Sequence, residues 1–185
     1  MPDLARIWTR EEVLALPDDG NRYEIIEGEL LVTPSPRALH QAAVWALYRR
    51  LDPCVRSHRI GYAGMSPSDL YFETDEYVQP DVYVVPLKEG RQPRTWPDFG
   101  IPMLVAEVLS PSTRTYDRVT KRRFFQRRGV ATYWIVDIDA RRIERWTPSR
   151  RHPVTADHTL EWQPVPSLPA LDIDLPAYFR EIWDE

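Results

Sequence analysis

Two short apolar runs, "PMLVAEVLS" at 102–110 and "TYWIVDID" at 132–139, enclose one strongly helical segment, "TYDRVTKRRFFQRRGV" at 115–130. A strand that returns to its own sheet through a helix lies parallel to its predecessor, and that arrangement needs a covered sheet. Gly129 supplies the helix stop. Further strands are expected at "RIGYAG", "SDLYFE", "PDVYVVP" and "RRIERWTP", and "RYEIIEGELLVTP" reads as a hairpin around Glu27 and Gly28. A helix is expected over about 36–51, with Pro36 in its first turn, and a shorter one in "WTREEVLALP", opened by a Thr9–Glu12 capping box and stopped by Pro17. The class is therefore α/β: a central mixed sheet flanked by helices, with an N-terminal hairpin.

At 185 residues the chain is long enough for one well-buried core, so a single domain over 1–185 is expected, its core at about 23–147. The Pro-rich stretch 153–185 is expected to wrap the surface, with a short last helix near "AYFREIW". One cysteine, Cys54, excludes an internal disulfide and a cysteine-based zinc cluster. No charged-then-apolar leader and no long apolar run is visible, which points to a soluble, reduced, cytoplasmic protein with no membrane partner. Net charge is -4, so any contact with nucleic acid must use a local patch.

Glu107 stands in the middle of an apolar strand. A carboxylate buried there costs several kcal/mol unless something meets it. An arginine, a proton and a metal ion are all open as its partner. Asp81 sits at the mouth of "PDVYVVP", and if the two strands are neighbours the two carboxylates converge. Paired hard oxygens with room for water are what magnesium accepts. For Asp81 alone, an acid closing a turn is the plainer account. On the following helix, Phe124 and Phe125 fall on either side of Lys121 at 100° per residue, so the docking face carries Lys121 into the same layer. There the lysine could pair with the acids and orient a water, or merely cover apolar surface with its stem. Residues 114–128 hold Arg114, Arg118 and Arg128 among seven cations against the single acid Asp117, a patch able to neutralise phosphates or simply a solvated face.

Taken in order, "PD", "EVLSPST", "YDRVTK" and "GVATYWIVD", with "YEIIEGEL" and a helical "HQ" upstream, resemble the Uma-type restriction endonuclease family, a branch of the PD-(D/E)XK nuclease superfamily. The resemblance runs from about Tyr23 to Asp137. It implies a restriction-endonuclease-like core and cleavage of DNA phosphodiesters that depends on magnesium, or manganese in its place. By position Asp81 matches the aspartate of the motif and Glu107 its second acid. Leu109 stands where the superfamily's lysine would, and Lys121 fits the lysine displaced to the helix. Glu24 matches an N-terminal acid that joins the metal site, with Glu27 and Glu29 as competitors, and His40 resembles the family's helix histidine. Superfamily enzymes that cut both strands are often dimers, so a homodimer is expected, with Trp162 and Trp183 open either to serving such an interface or to capping the core. Arg114, Arg118 and Arg128 become candidate DNA contacts. Two other classes stay open: a non-catalytic module that binds nucleic acid or a partner on the same fold, and a two-carboxylate glycosidase, which leaves Lys121 and the arginines without a role.

Overall fold

A computed structural model describes residues 6–72, 75–95 and 98–185. Its largest sheet has six strands in the order β10-β9-β8-β7-β6-β3, with β3 at Gly61–Met65, β6 at Val82–Pro86, β7 at Leu104–Val108, β8 at Thr132–Asp137, β9 at Arg142–Trp146 and β10 at Val154–Ala156. Only β7 and β8 run parallel, Leu104 opposite Thr132, and the helical crossover between them is the one the sequence demands. The hairpin of β1 (Arg22–Ile26) and β2 (Glu29–Thr33) belongs to a second sheet, completed by two short strands, β4 (Leu70–Tyr71) and β5 (Tyr77–Val78). Glu27 and Gly28 form its turn with φ of 54° and 81°, the left-handed region that a glycine enters without steric cost. Last comes a two-stranded ribbon, β11 (Thr159–Trp162) with β12 (Leu171–Asp174).

Strand β7 is buried on both faces, and its side chains divide by parity. Leu104, Ala106 and Val108 join the core under the long helix α2 (Ala38–Ser57), together with Val44, Leu47 and Leu51. Val105 and Leu109 join the opposite core with Phe124, Phe125, Tyr133 and the hairpin's Ile26. Glu107 shares their parity. Alternation along the strand therefore decides that its carboxylate points toward the crossover helix and the hairpin sheet, away from α2.

The crossover runs without interruption through α3 (Arg114–Tyr116), a π-helical turn at Asp117–Lys121 and α4 (Arg122–Arg127). Phe124 and Phe125 are both buried, with the burial of Lys121 between them. The short first helix, α1 (Arg10–Leu14), carries the expected capping box.

Several boundaries differ from expectation. Helix α2 extends to Ser57, past Pro53, which supplies no N–H to the preceding turn. Leu51 and Val55, both fully buried, anchor the extension, so packing outweighs the missing bond. "SDLYFE" shrinks to two residues of strand, and Glu73 lies outside the described residues. The C-terminal stretch does more than wrap the surface: Leu160, Trp162 and Ile173 enter the core, as do Tyr178 and Phe179 of α5 (Leu175–Trp183). Tyr178 Oη donates to the Ala43 carbonyl at 3.0 Å, tying α5 to α2. Trp162 meets Trp134 edge to face inside the protein and is thus unavailable to an interface, whereas Trp183 is exposed. Among the described residues no helix is long and apolar enough to cross a membrane.

Candidate active site

Four elements deliver acids to one cavity of about 310 Å³. Glu24 comes from β1, Asp81 from the residue before β6, Glu107 from β7 and Asp117 from the π turn, with relative exposures of 2, 2, 3 and 2%. Strands β6 and β7 pair antiparallel with Val82 opposite Ala106, which brings the positions just outside that pair, Asp81 and Glu107, to the same end of the sheet. The neighbouring strands expected from sequence are thus found, and the acids line the same cavity.

Glu107 is met by a lysine. Lys121 Nζ donates to Glu107 Oε1 at 2.9 Å and lies 2.9 Å from Glu24 Oε2. The second oxygen of Glu24 accepts from the Gln79 amide at 2.8 Å, so Glu24 is held from both sides. Of its competitors, Glu27 is an exposed turn residue paired with Arg127 and Glu29 is exposed.

Asp81 has its own set of donors. Arg22 donates to Oδ1 at 2.9 Å, while the Val108 amide at 2.9 Å and His40 Nε2 at 3.1 Å reach Oδ2. Arg22 also donates to Ser66 Oγ at 3.1 Å, which fixes its guanidinium. Arg22, His40 and Asp117 all line the cavity; from sequence Arg22 and Asp117 are not site candidates, and His40 is no more than a motif match. Two of them left a readable signal. Arg22 stands two residues before Glu24 on one strand, hence on the same face, and Asp117 stands four before Lys121 on one helix. His40 matched the motif, but nothing in the local pattern showed which way its ring would turn.

Opposed environments divide the acids. Burial works against ionisation of Asp81, yet His40, Arg22 and the Val108 amide hold its carboxyl well below the usual range. Burial pushes Glu107 well above its usual value; Lys121 opposes this, and the nearby negative charges of Asp81, Asp117 and Glu24 add to it. Asp117 is pushed up to about 6, chiefly by burial. Burial would lower Lys121, but Glu107, Glu24 and the two aspartates raise it further. Four buried carboxyl groups face Arg22 and Lys121, while the lining's other ionic side chains, Arg37 and Asp139, are exposed, so the acids outnumber the cations in the poorly solvated part of the cavity.

The arginines proposed for DNA lie outside the cavity lining. Arg118 donates to Asp137 at 2.9 Å and Glu144 at 2.8 Å, and Arg114 to Asp137 at 3.4 Å and Asp139 at 3.2 Å. Arg128 pairs with Glu76 at 2.5 Å and lies over the Phe124 ring. Each has an acid partner within the chain. Asp137, at the end of β8, accepts from the Ala140 amide as turn residues do.

No curated protein matches this sequence. Among solved structures the chain is similar to one described as a "putative nuclease belonging to DUF820" from Anabaena variabilis, with a TM-score of 0.75 and 22% identity over 95% of this chain and 99% of that one. At that identity the likeness speaks for the fold, a nuclease-like mixed sheet flanked by helices. A model of the Uma2 family, described as "Putative restriction endonuclease", matches residues 10–176, nearly the whole length, and the chain belongs to that family.

Proposed function

We propose that the protein is a metal-dependent endonuclease that hydrolyses DNA phosphodiester bonds, with Asp81, Glu107 and Lys121 as its catalytic centre and Glu24 as a supporting acid. The observation that carries this reading is the convergence of Glu24 from β1, Asp81 from the residue before β6 and Glu107 from β7, with a lysine from the crossover helix, on one cavity. A fold needs no such convergence for stability, because an apolar set of the same volume would serve at least as well.

The donor set fits a divalent cation. Hard carboxylate oxygens outnumber the buried cations, and Glu107 and Asp117, both raised chiefly by burial, sit where an added cation would favour their charged forms. Among the described residues no three His, Cys, Asp or Glu side chains are disposed as a ready-made cage. Asp81 and Glu107 would hold magnesium or manganese, with Glu24 near at hand, and water would complete the coordination. Such an ion, when bound, acidifies a water and neutralises charge on the phosphate. Lys121, charged and fixed between Glu24 and Glu107, is placed to orient a water and to stabilise charge developing on a phosphoryl oxygen. Arg22 and His40 keep Asp81 ionised and aimed.

A second reading rests on one specific observation: Asp81, Glu107 and Glu24 already have protein cations beside them, which a non-catalytic binding module would also show. Calorimetric titration with Mg²⁺ and Mn²⁺, run beside cleavage of plasmid and of a labelled single strand, separates the two. Metal binding that disappears in Asp81→Asn, together with metal-dependent cutting, is expected; a wild type that neither binds millimolar metal nor cuts would make the ion pairs structural. A homodimer is proposed as the working unit, to be checked by sedimentation.

A further inference from the structure

Resting on that reading, we propose that the strand being cut is unpaired: the site takes a single-stranded or splayed-out nucleotide of DNA, and a regular duplex does not reach the acids. Size is the first argument. The cavity holds about 310 Å³, at the small end of ligand pockets and commensurate with one nucleotide rather than a groove-wide contact. The acids lining it are 97–98% buried, so they do not form a ridge against which an intact backbone could lie.

The lining is the second argument. Pro34 and Pro36 come from the link into α2, Leu39 from the first turn of α2, Pro111 from the link into the crossover helix and Ile138 from the turn after β8. Proline fixes the backbone at φ near −65°, so both links are stiff. An apolar wall beside a polar floor matches a nucleotide turned out of its stack, with the base against the wall and the phosphate toward Lys121.

Charge is the third. Proteins that bind duplex DNA along its length neutralise several phosphates with free cations. Here Arg114, Arg118 and Arg127 are compensated by acids of the same chain, and Arg122 lies over Trp146. At the mouth of the cavity stands Arg37, exposed, whose side chain has no acid partner among the described residues. One such cation in the lining, with the exposed Arg123 of the crossover helix outside it, is a short footprint, suited to one or two phosphates.

The test is fluorescence anisotropy in calcium with a labelled single strand and a hairpin duplex of the same length, across a salt series, with cleavage in magnesium measured in parallel. The expected result is binding of the single strand about tenfold or more tighter than the duplex, with a salt slope of roughly −0.7 to −1.4, the value for one or two phosphates on a single strand. Arg37→Glu is expected to weaken that binding while leaving the fold intact. Duplex binding equal or tighter, a slope several times steeper, or no binding of the single strand overturns the inference. Cleavage decides the other question: preferential single-strand binding without cutting of any substrate would sink the catalytic reading and leave the ligand class standing.

Discussion

Lys121 Nζ lies 2.9 Å from Glu107 Oε1, joining the crossover helix to the central strand that precedes it, and the same ammonium lies 2.9 Å from Glu24 on the hairpin. One cation therefore bridges two sheets. All three groups are almost completely removed from solvent, so the interaction is unscreened and its loss is not made good by water.

Replacement of Lys121 by methionine keeps the stem's volume and removes the charge. Two buried carboxyls are left without their cation, and the expected loss is about 3–5 kcal/mol of stability. Urea unfolding measures it, and cleavage is expected to vanish as well. A variant that keeps wild-type stability would show that the bridge is not made in solution.

Asp81→Asn is expected to lose metal binding and also to destabilise the fold by roughly 1.5–3 kcal/mol, because Arg22 loses a charged acceptor. The Arg22 and His40 contacts are what make removal of this buried charge costly. The sign with pH follows from the lowered value. Asp81 contributes stability above its ordinary pKa of 3.8, and the contribution is lost as the pH falls toward its depressed folded-state value. The gap between wild type and variant should close on acidification below about pH 4.

Asp117 has the opposite linkage. Its carboxyl is raised from 3.8 to about 6 in the fold, so the native state holds a proton that the unfolded chain releases. Nothing is lost below the lower value; between the two the unfolded state gains, and above about 6 the full cost is present. Asp117→Asn should therefore stabilise the metal-free protein near neutrality, on the order of 2–3 kcal/mol, and hardly at all near pH 3. Unfolding free energies of both proteins across that range give the comparison. A difference independent of pH would mean that the carboxyl titrates normally.

Gly61, on β3, is a control remote from the chemistry. A Cβ built there would stand 2.4 Å from the Val85 carbonyl oxygen, a backbone atom that cannot move aside cheaply. Gly61→Ala is expected to cost about 1–3 kcal/mol of stability, read by thermal unfolding, with metal affinity unchanged. Lost metal affinity in a folded variant would mean that the edge of the sheet helps to set the site.

Much of the fold is legible in the chain because period and punctuation are local properties. The apolar runs at 104–108 and 132–137 around one helix demand a parallel pair, and the docking face with Phe124 and Phe125 carries Lys121 into the layer that holds Glu107. The C-terminal strands are not legible in this way. Short runs such as Val154–Ala156 acquire strand character from the partner they meet, β9 in that case, and prolines mask the apolar positions that enter the core.

The candidate site divides along the same line. Glu107 is readable because an acid among buried positions contradicts its surroundings, and Lys121 because helical spacing puts it on the docking face; Asp81 and Glu24 are legible as site residues chiefly through the family resemblance. Which cation meets which acid is a matter of distance between elements far apart in sequence. Arg22 reaches Asp81 across 59 residues, and His40 comes to it from a helix on the other face of the sheet. The chain alone determined that charge would be buried here; only the tertiary structure decided how it is shared, because side-chain pairing depends on the packing of two sheets and two helices at once.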